Sequence, residues 1–205
     1  MTRPDTGILY GVGVGPGAPD LMTLRAARLI EAATVLAYPT LAGAASFARS
    51  IAAGLIRPDA TEIVMDVPMT TDREPAQRAY DLGAAQIAAA LDAGQNVVCL
   101  CEGDPFFYGS FMYLHARLSP RYHVEIVPGV TSITACAAAA GTPLVARNER
   151  LTVLPGPLSE AELIALHKAH GGQLVKIAVN RAEPVGRLTG WRPLMPVTQW
   201  SLIKR

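Results

Sequence analysis

The chain has 205 residues, half of them hydrophobic and 17% charged, with a formal net charge of +1. Such a composition excludes a disordered chain, and a near-neutral balance without basic runs speaks against nucleic acid as a partner. The N-terminus has Arg3, Pro4, Asp5 and Gly7 with no apolar signal core, and no run reaches the ~20 apolar residues of a membrane helix. A cytoplasmic protein without a membrane partner is the expectation.

In chain order, Ile8 to Val14 mixes aliphatics with glycine and predicts a buried strand. It runs into Gly15-Pro16-Gly17, which proline and glycine keep from becoming helix. Asp20 is the expected N-cap of a helix from Thr23 to Ala33. Thr34 to Tyr38 predicts the next strand, closed by Pro39, followed by a short helix from Ser46 to Leu55 and a short strand from Thr61 to Met65. Pro75 to Ala93 repeats apolar residues at helical spacing, and Gly94 stops it. Asn96 to Cys101 is a continuous apolar run, the mark of a strand covered on both faces. Phe111 to Leu118 predicts a helix, His123 to Val127 a strand and Ser132 to Ala140 an alanine-rich helix.

After Thr142-Pro143 the pattern restarts. Leu151 to Leu154 predicts a strand, Ser159 to His167 a helix capped by Ser159 with Glu162 three residues on, and Leu174 to Val179 a further strand. Beyond that, Pro184, Gly186, Gly190, Pro193 and Pro196 interrupt the rhythm. Strand and helix in this alternation imply an α/β layer architecture with mainly parallel strands. A boundary near Ala146 divides the chain into an N-terminal α/β domain, residues 1–145, and a smaller C-terminal one, residues 146–205.

Cysteines 99, 101 and 136 form an odd, sparse set that suits a reducing compartment. Cys99 and Cys101 share one face of their strand, where they suit small apolar fillers better than metal ligands, since no nearby His or second Cys pair completes a metal site. No metal is expected.

Three loops carry the functional signal. Gly11-Val-Gly-Val-Gly-Pro-Gly17 invites a dinucleotide reading, but Pro16 and Pro19 intervene before any helix begins, and no Lys-Ser or Lys-Thr follows for a phosphate loop. Glu102-Gly-Asp-Pro-Phe-Phe-Tyr-Gly-Ser110 directly follows the buried strand. In open parallel sheets ligands bind beyond the carboxyl ends of strands, and a carboxylate there can meet hydroxyls or an ammonium. Asp104 equally suits a cap of the following helix, and the two roles can coexist. Val127-Pro-Gly-Val-Thr-Ser132 repeats the arrangement, with an N-cap by Thr131 or Ser132 as the plainer reading.

Together, in this order, the segments "LYGVGVGPGAPDLMTLRA", the "AYP" ending at Pro39, and "EGDPFFYGSFMYLHARL" running into "VEIVPGVTSITACAAAAGTPL" resemble the tetrapyrrole methylase family of S-adenosylmethionine-dependent methyltransferases. The resemblance covers residues 7 to about 177 and is nearest to members acting on carbon 20 of precorrin-2 or cobalt-factor II. It implies two α/β domains with the cofactor cleft between them, a homodimer, S-adenosyl-L-methionine as methyl donor and S-adenosyl-L-homocysteine as product, in cobalamin biosynthesis. It places Pro16, Glu102, Gly103, Asp104, Phe107, Thr131, Ser132 and Lys176 at the cofactor. Members that methylate uroporphyrinogen III carry an aspartate after the second strand, where this chain has Pro39; that implies no single catalytic base, with Tyr38, Tyr108 and Tyr113 as candidates to line or polarise the site. Arg117, Arg147 and Arg150 are candidates to pair with substrate carboxylates, or plain surface residues. The segment after Lys176 departs from the family's pattern, so the second domain is expected to be truncated or diverged and an activity of this chain is a separate question.

Overall fold

The computed structural model describes residues 6–41, 43–68, 73–149, 151–155, 161–162, 165, 173–178, 191–193 and 200–204. The chain forms two compact units, Met1–Thr131 and Ser132–Arg205. The first holds β1 (Leu9–Gly13), α1 (Leu24–Ala32), β2 (Val35–Leu41), α2 (Phe47–Ala52), β3 (Thr61–Val67), α3 (Glu74–Asp92), β4 (Val97–Cys101), α4 (Phe111–Leu118) and β5 (Val124–Val127). The strands form one five-stranded sheet in the order β3-β2-β4-β1-β5, parallel throughout.

Helices cover both faces of this sheet, as its continuous apolar strands require. Leu9, Val35, Ala37, Val97, Cys99 and Cys101 face one core with Tyr80, Ile87 and Leu91 of α3 and Phe111 and Leu114 of α4. Val12, Leu36, Tyr38, Val98 and Leu100 face the other, with Ala26 and Ile30 of α1 and Ala48 and Ile51 of α2. Cys99 and Cys101 are free, buried thiols on one face, as their spacing predicts, and burial pushes the Cys101 thiol up.

Two sequence expectations need correction. The N-cap of α1 is Thr23, whose side chain accepts from the Ala26 N–H at 3.2 Å. Asp20 instead lies in a 3₁₀ turn, Pro19–Leu21, because Pro19 starts a turn of its own and Met22 is extended. Pro39 does not close β2, which continues to Leu41. Pairing of β2 with β4 ends at Ala37, and from there β2 pairs only with β3, leaving an open side that tolerates a residue without an N–H.

The second unit holds α5 (Ser132–Ala139) and a mixed sheet of β6 (Leu151–Pro155), β7 (Gln173–Ala178), β8 (Trp191–Pro193) and β9 (Trp200–Lys204), in the order β6-β7-β9-β8. β6 and β7 are parallel, whereas β9 runs antiparallel to both β7 and β8. The proline-broken tail thus contributes two short strands that its lost rhythm hid; antiparallel neighbours need no long apolar run, and β8 stops at Pro193. The predicted cap at Ser159 lies outside the described residues. Among the described residues no helix is long and apolar enough to cross a membrane.

Candidate functional site

Strands β1 and β4 are neighbours, yet the helices that follow them go to opposite faces: α1 with the core of Val12 and Leu100, α4 with that of Cys99 and Cys101. Such a reversal opens a crevice at the carboxyl ends of the two strands, the general ligand position of open α/β sheets. The chain marks this place with glycines. Gly15 and Gly103 form an isolated bridge, the Gly103 N–H donating to the Gly15 carbonyl at 2.8 Å and the Gly15 N–H returning at 3.3 Å. Both have positive φ, +82° and +60°, which a side chain would strain.

A third loop reaches the same point. A Cβ on Gly129 would lie 1.9 Å from the Gly103 oxygen, and one on Gly13 would lie 2.6 Å from that oxygen and 2.7 Å from the Gly129 Cα. The Gly103 carbonyl is therefore wedged between Gly13 and Gly129, and the loops after β1, β4 and β5 meet on bare backbone. Gly13 and Gly129 are not among the residues that the sequence resemblance places at the cofactor. For Gly13 the available signal is a glycine inside an otherwise apolar strand, which marks close backbone approach.

Of the residues expected at the cofactor, Pro16, Glu102, Gly103, Asp104, Phe107 and Thr131 lie on the loops after β1, β4 and β5. Pro16 is half-buried between Gly15 and Gly17, and Thr131 lies two residues beyond Gly129. Phe107 is exposed and meets the Tyr108 ring edge-on at 5.3 Å. Glu102 keeps accessible surface, but protein crowds its carboxyl, and desolvation pushes its pKa above the usual carboxylate range. Asp104 accepts from the Phe106 N–H at 2.9 Å and the Phe107 N–H at 3.1 Å through Oδ1, and from the Gly129 N–H at 3.0 Å through Oδ2. Ser132 begins α5, and Lys176 lies on β7 in register with Leu154, both within the second unit.

The three tyrosines differ. Tyr38 is buried beneath α2, its hydroxyl donating to Glu62. Arg49 grips that carboxylate with two hydrogen bonds, of 2.6 and 2.8 Å. Burial first, then the Glu62 hydrogen bond, raises the Tyr38 pKa, while the Arg49 hydrogen bond holds the Glu62 carboxyl low. Tyr108 and Tyr113 are exposed; Tyr108 has φ +54°, and Tyr113 packs 5.0 Å from Tyr80. Arg117 is committed to Asp81 at 2.7 Å, Gln77 Oε1 at 2.9 Å and the Tyr113 carbonyl at 2.9 Å, so its guanidinium is a clamp between α3 and α4. Arg147 is exposed and Arg150 lies outside the described residues.

A parallel sheet covered on both faces, with three glycine-marked loops meeting at its reversal point, defines an open α/β protein. The chain belongs to the tetrapyrrole (corrin/porphyrin) methylases, the family that residues 8–188 match. It is 43% identical to a precorrin-2 C(20)-methyltransferase of Sinorhizobium sp. over 171 residues, 80% of this chain and 70% of that protein. It is 47% identical over 77% of its length to the cobalamin biosynthesis protein CobIJ of Mycobacterium tuberculosis (strain ATCC 25618 / H37Rv), of which it spans 32%. Among solved structures it resembles the cobalt precorrin-4 methyltransferase CbiF with a TM-score of 0.62 and 28% identity, covering 86% of this chain and 70% of that one.

Proposed function

We propose that this protein transfers a methyl group from S-adenosylmethionine to carbon 20 of precorrin-2, or of its cobalt-bearing counterpart cobalt-factor II, releasing S-adenosylhomocysteine. The observation that carries this reading is the 43% identity, over 80% of the chain, to a precorrin-2 C(20)-methyltransferase. The site suits the cofactor: S-adenosylmethionine carries ribose hydroxyls and a methionine ammonium, and the ends of β1, β4 and β5 bring three loops with hydroxyl, carboxyl and backbone groups to one place.

S-adenosylmethionine, when bound, supplies a methyl group that is electrophilic because it sits on a sulfonium. The protein's task is then alignment. Effective molarities of ~10⁵–10⁸ M for well-oriented partners let alignment supply most of the rate, and a base is needed only to collect the proton that leaves carbon 20 after the methyl group arrives. Pro16, Glu102, Gly103, Phe107 and Thr131 line the donor side, and Asp104 holds two of their loops in place. Tyr108 and Tyr113, exposed beside the second loop, are the tyrosines available to line the substrate side. The Tyr38 hydroxyl already donates to Glu62 and, with its pKa raised, stays protonated at neutral pH, so it acts as a polar wall rather than a base. The proposal includes a cytoplasmic location and a homodimer, for which sedimentation velocity should give twice the chain mass.

Incubation with methyl-labelled S-adenosylmethionine and either macrocycle, followed by NMR of the product, tests the reaction. Label at carbon 20 is the expected result, and the better substrate identifies the metal state. Label at another ring carbon overturns the regiochemistry. No transfer, with no thermal shift on adding S-adenosylmethionine, overturns the methyltransferase assignment, since a ligand of the native state must raise stability.

A further inference from the structure

We infer that Asp104 is a positioning residue, a strut that locks the second and third loops of the site together through its carboxylate rather than a group that spends its charge on the ligand. The inference rests on the function proposed above only for its kinetic consequence.

A carboxylate has roughly four acceptor positions. In Asp104, Oδ1 takes the Phe106 and Phe107 N–H groups and Oδ2 takes the Gly129 N–H, so three are filled by this chain's own backbone. The first two bonds fold the second loop onto itself. The third crosses 25 positions of sequence to a residue beyond β5, and it is the one that matters to the site. Gly129 lies where a Cβ on Gly13 would come within 2.7 Å of its Cα and where a Cβ of its own would strike the Gly103 oxygen. Such crowding limits how closely Gly129 can approach but supplies no attraction that holds it there. A charge-assisted hydrogen bond of fixed length sets the distance instead. Fixing Gly129 also fixes the chain that leads to Thr131, two residues on. The Gly15–Gly103 bridge fastens the first loop to the second, and Asp104 fastens the second to the third, so the bridge and the carboxylate together make the three loops one rigid cradle.

Residue-resolved hydrogen exchange on the full chain without ligand, paired with steady-state kinetics, tests the strut. In the wild-type protein the Gly129 N–H, although outside β5, must be protected. In Asp104→Asn the amide NH2 replaces one acceptor oxygen and faces a donor. Exchange should rise about tenfold or more at Gly129, or at Phe106 and Phe107, whichever meets the NH2, with the β1 amides unchanged. The KM for S-adenosylmethionine should rise about tenfold while kcat at saturation changes by less than about threefold. An unprotected wild-type Gly129 overturns the inference. So does equal acceleration throughout β1, which would make the effect a general loss of stability. Unchanged exchange with lost cofactor affinity would make Asp104 a direct ligand and likewise overturn it. If the wild-type protein binds no S-adenosylmethionine, the proposed function fails, and the exchange result still decides the strut.

Discussion

At the scale of single residues, the site places a carboxyl where its charge is unwelcome. Desolvation raises the Glu102 pKa above its ordinary value, so the ionised form penalises the folded state at neutral pH. The sign follows by linkage. Above the raised folded pKa both states are ionised and the full penalty stands; below the unfolded value of 4.5 both are protonated and it is gone. Wild-type stability measured against Glu102→Gln by urea titration should therefore rise as the pH falls from 7 toward 4.5. A difference that is flat, or that grows the other way, would contradict the desolvation. Gly129 is the second sensitive residue. Gly129→Ala must move backbone, since its Cβ would meet a carbonyl oxygen at 1.9 Å. A loss of about 1–3 kcal/mol, the usual cost of overpacking, is expected in chemical denaturation, with weaker cofactor binding in calorimetry.

At the scale of elements, α3 ends as its sequence announces. Gly94 has φ +76°, its N–H donates to the Leu91 carbonyl, and the Gln95 N–H donates to the Ala90 carbonyl, which together make a Schellman cap. Gly94→Ala should cost about 1 kcal/mol through left-handed strain, seen as a lower denaturation midpoint with an unchanged slope. Helix α4 depends on β1 in a different way. The Phe111 ring lies where a Cβ on Gly11 would meet it at 2.4 Å, so the strand gives up a side chain to seat the ring. Gly11→Ala should destabilise the protein by about 1–3 kcal/mol. In a Phe111→Leu background the cost should shrink by at least ~0.5 kcal/mol; strict additivity in the double-mutant cycle would mean the two positions do not share that space.

At the scale of the whole molecule, the slowest-exchanging amides should belong to β4 and β1. β4 is buried along its whole length, and both strands pair on two sides within a doubly covered sheet. Hydrogen exchange followed by mass spectrometry would check this; slower exchange in the edge strand β3 would contradict it. The two corrections near the site have separate causes. Local preference named Asp20 as a cap and Pro39 as a strand end, but a competing turn at Pro19 and the one-sided pairing of β2 outweighed them.

The sequence by itself determined the buried parallel strands, the helices of the first unit, the small thiols at Cys99 and Cys101 and the three glycine-bearing loops at the strand ends, because each is a local matter of apolar period, capping or backbone freedom. It also carried the family, in segments that hold their order from Leu9 to Leu144. It was silent on β8 and β9, whose short antiparallel pairing leaves no period in a proline-rich stretch. Only the tertiary structure decided that Gly13, Gly103 and Gly129 meet, that Arg117 is spent on α3, and that the Asp104 carboxylate reaches Gly129. Those facts join residues far apart in the chain, and such distances are set by how the sheet brings its strand ends together, not by any local preference.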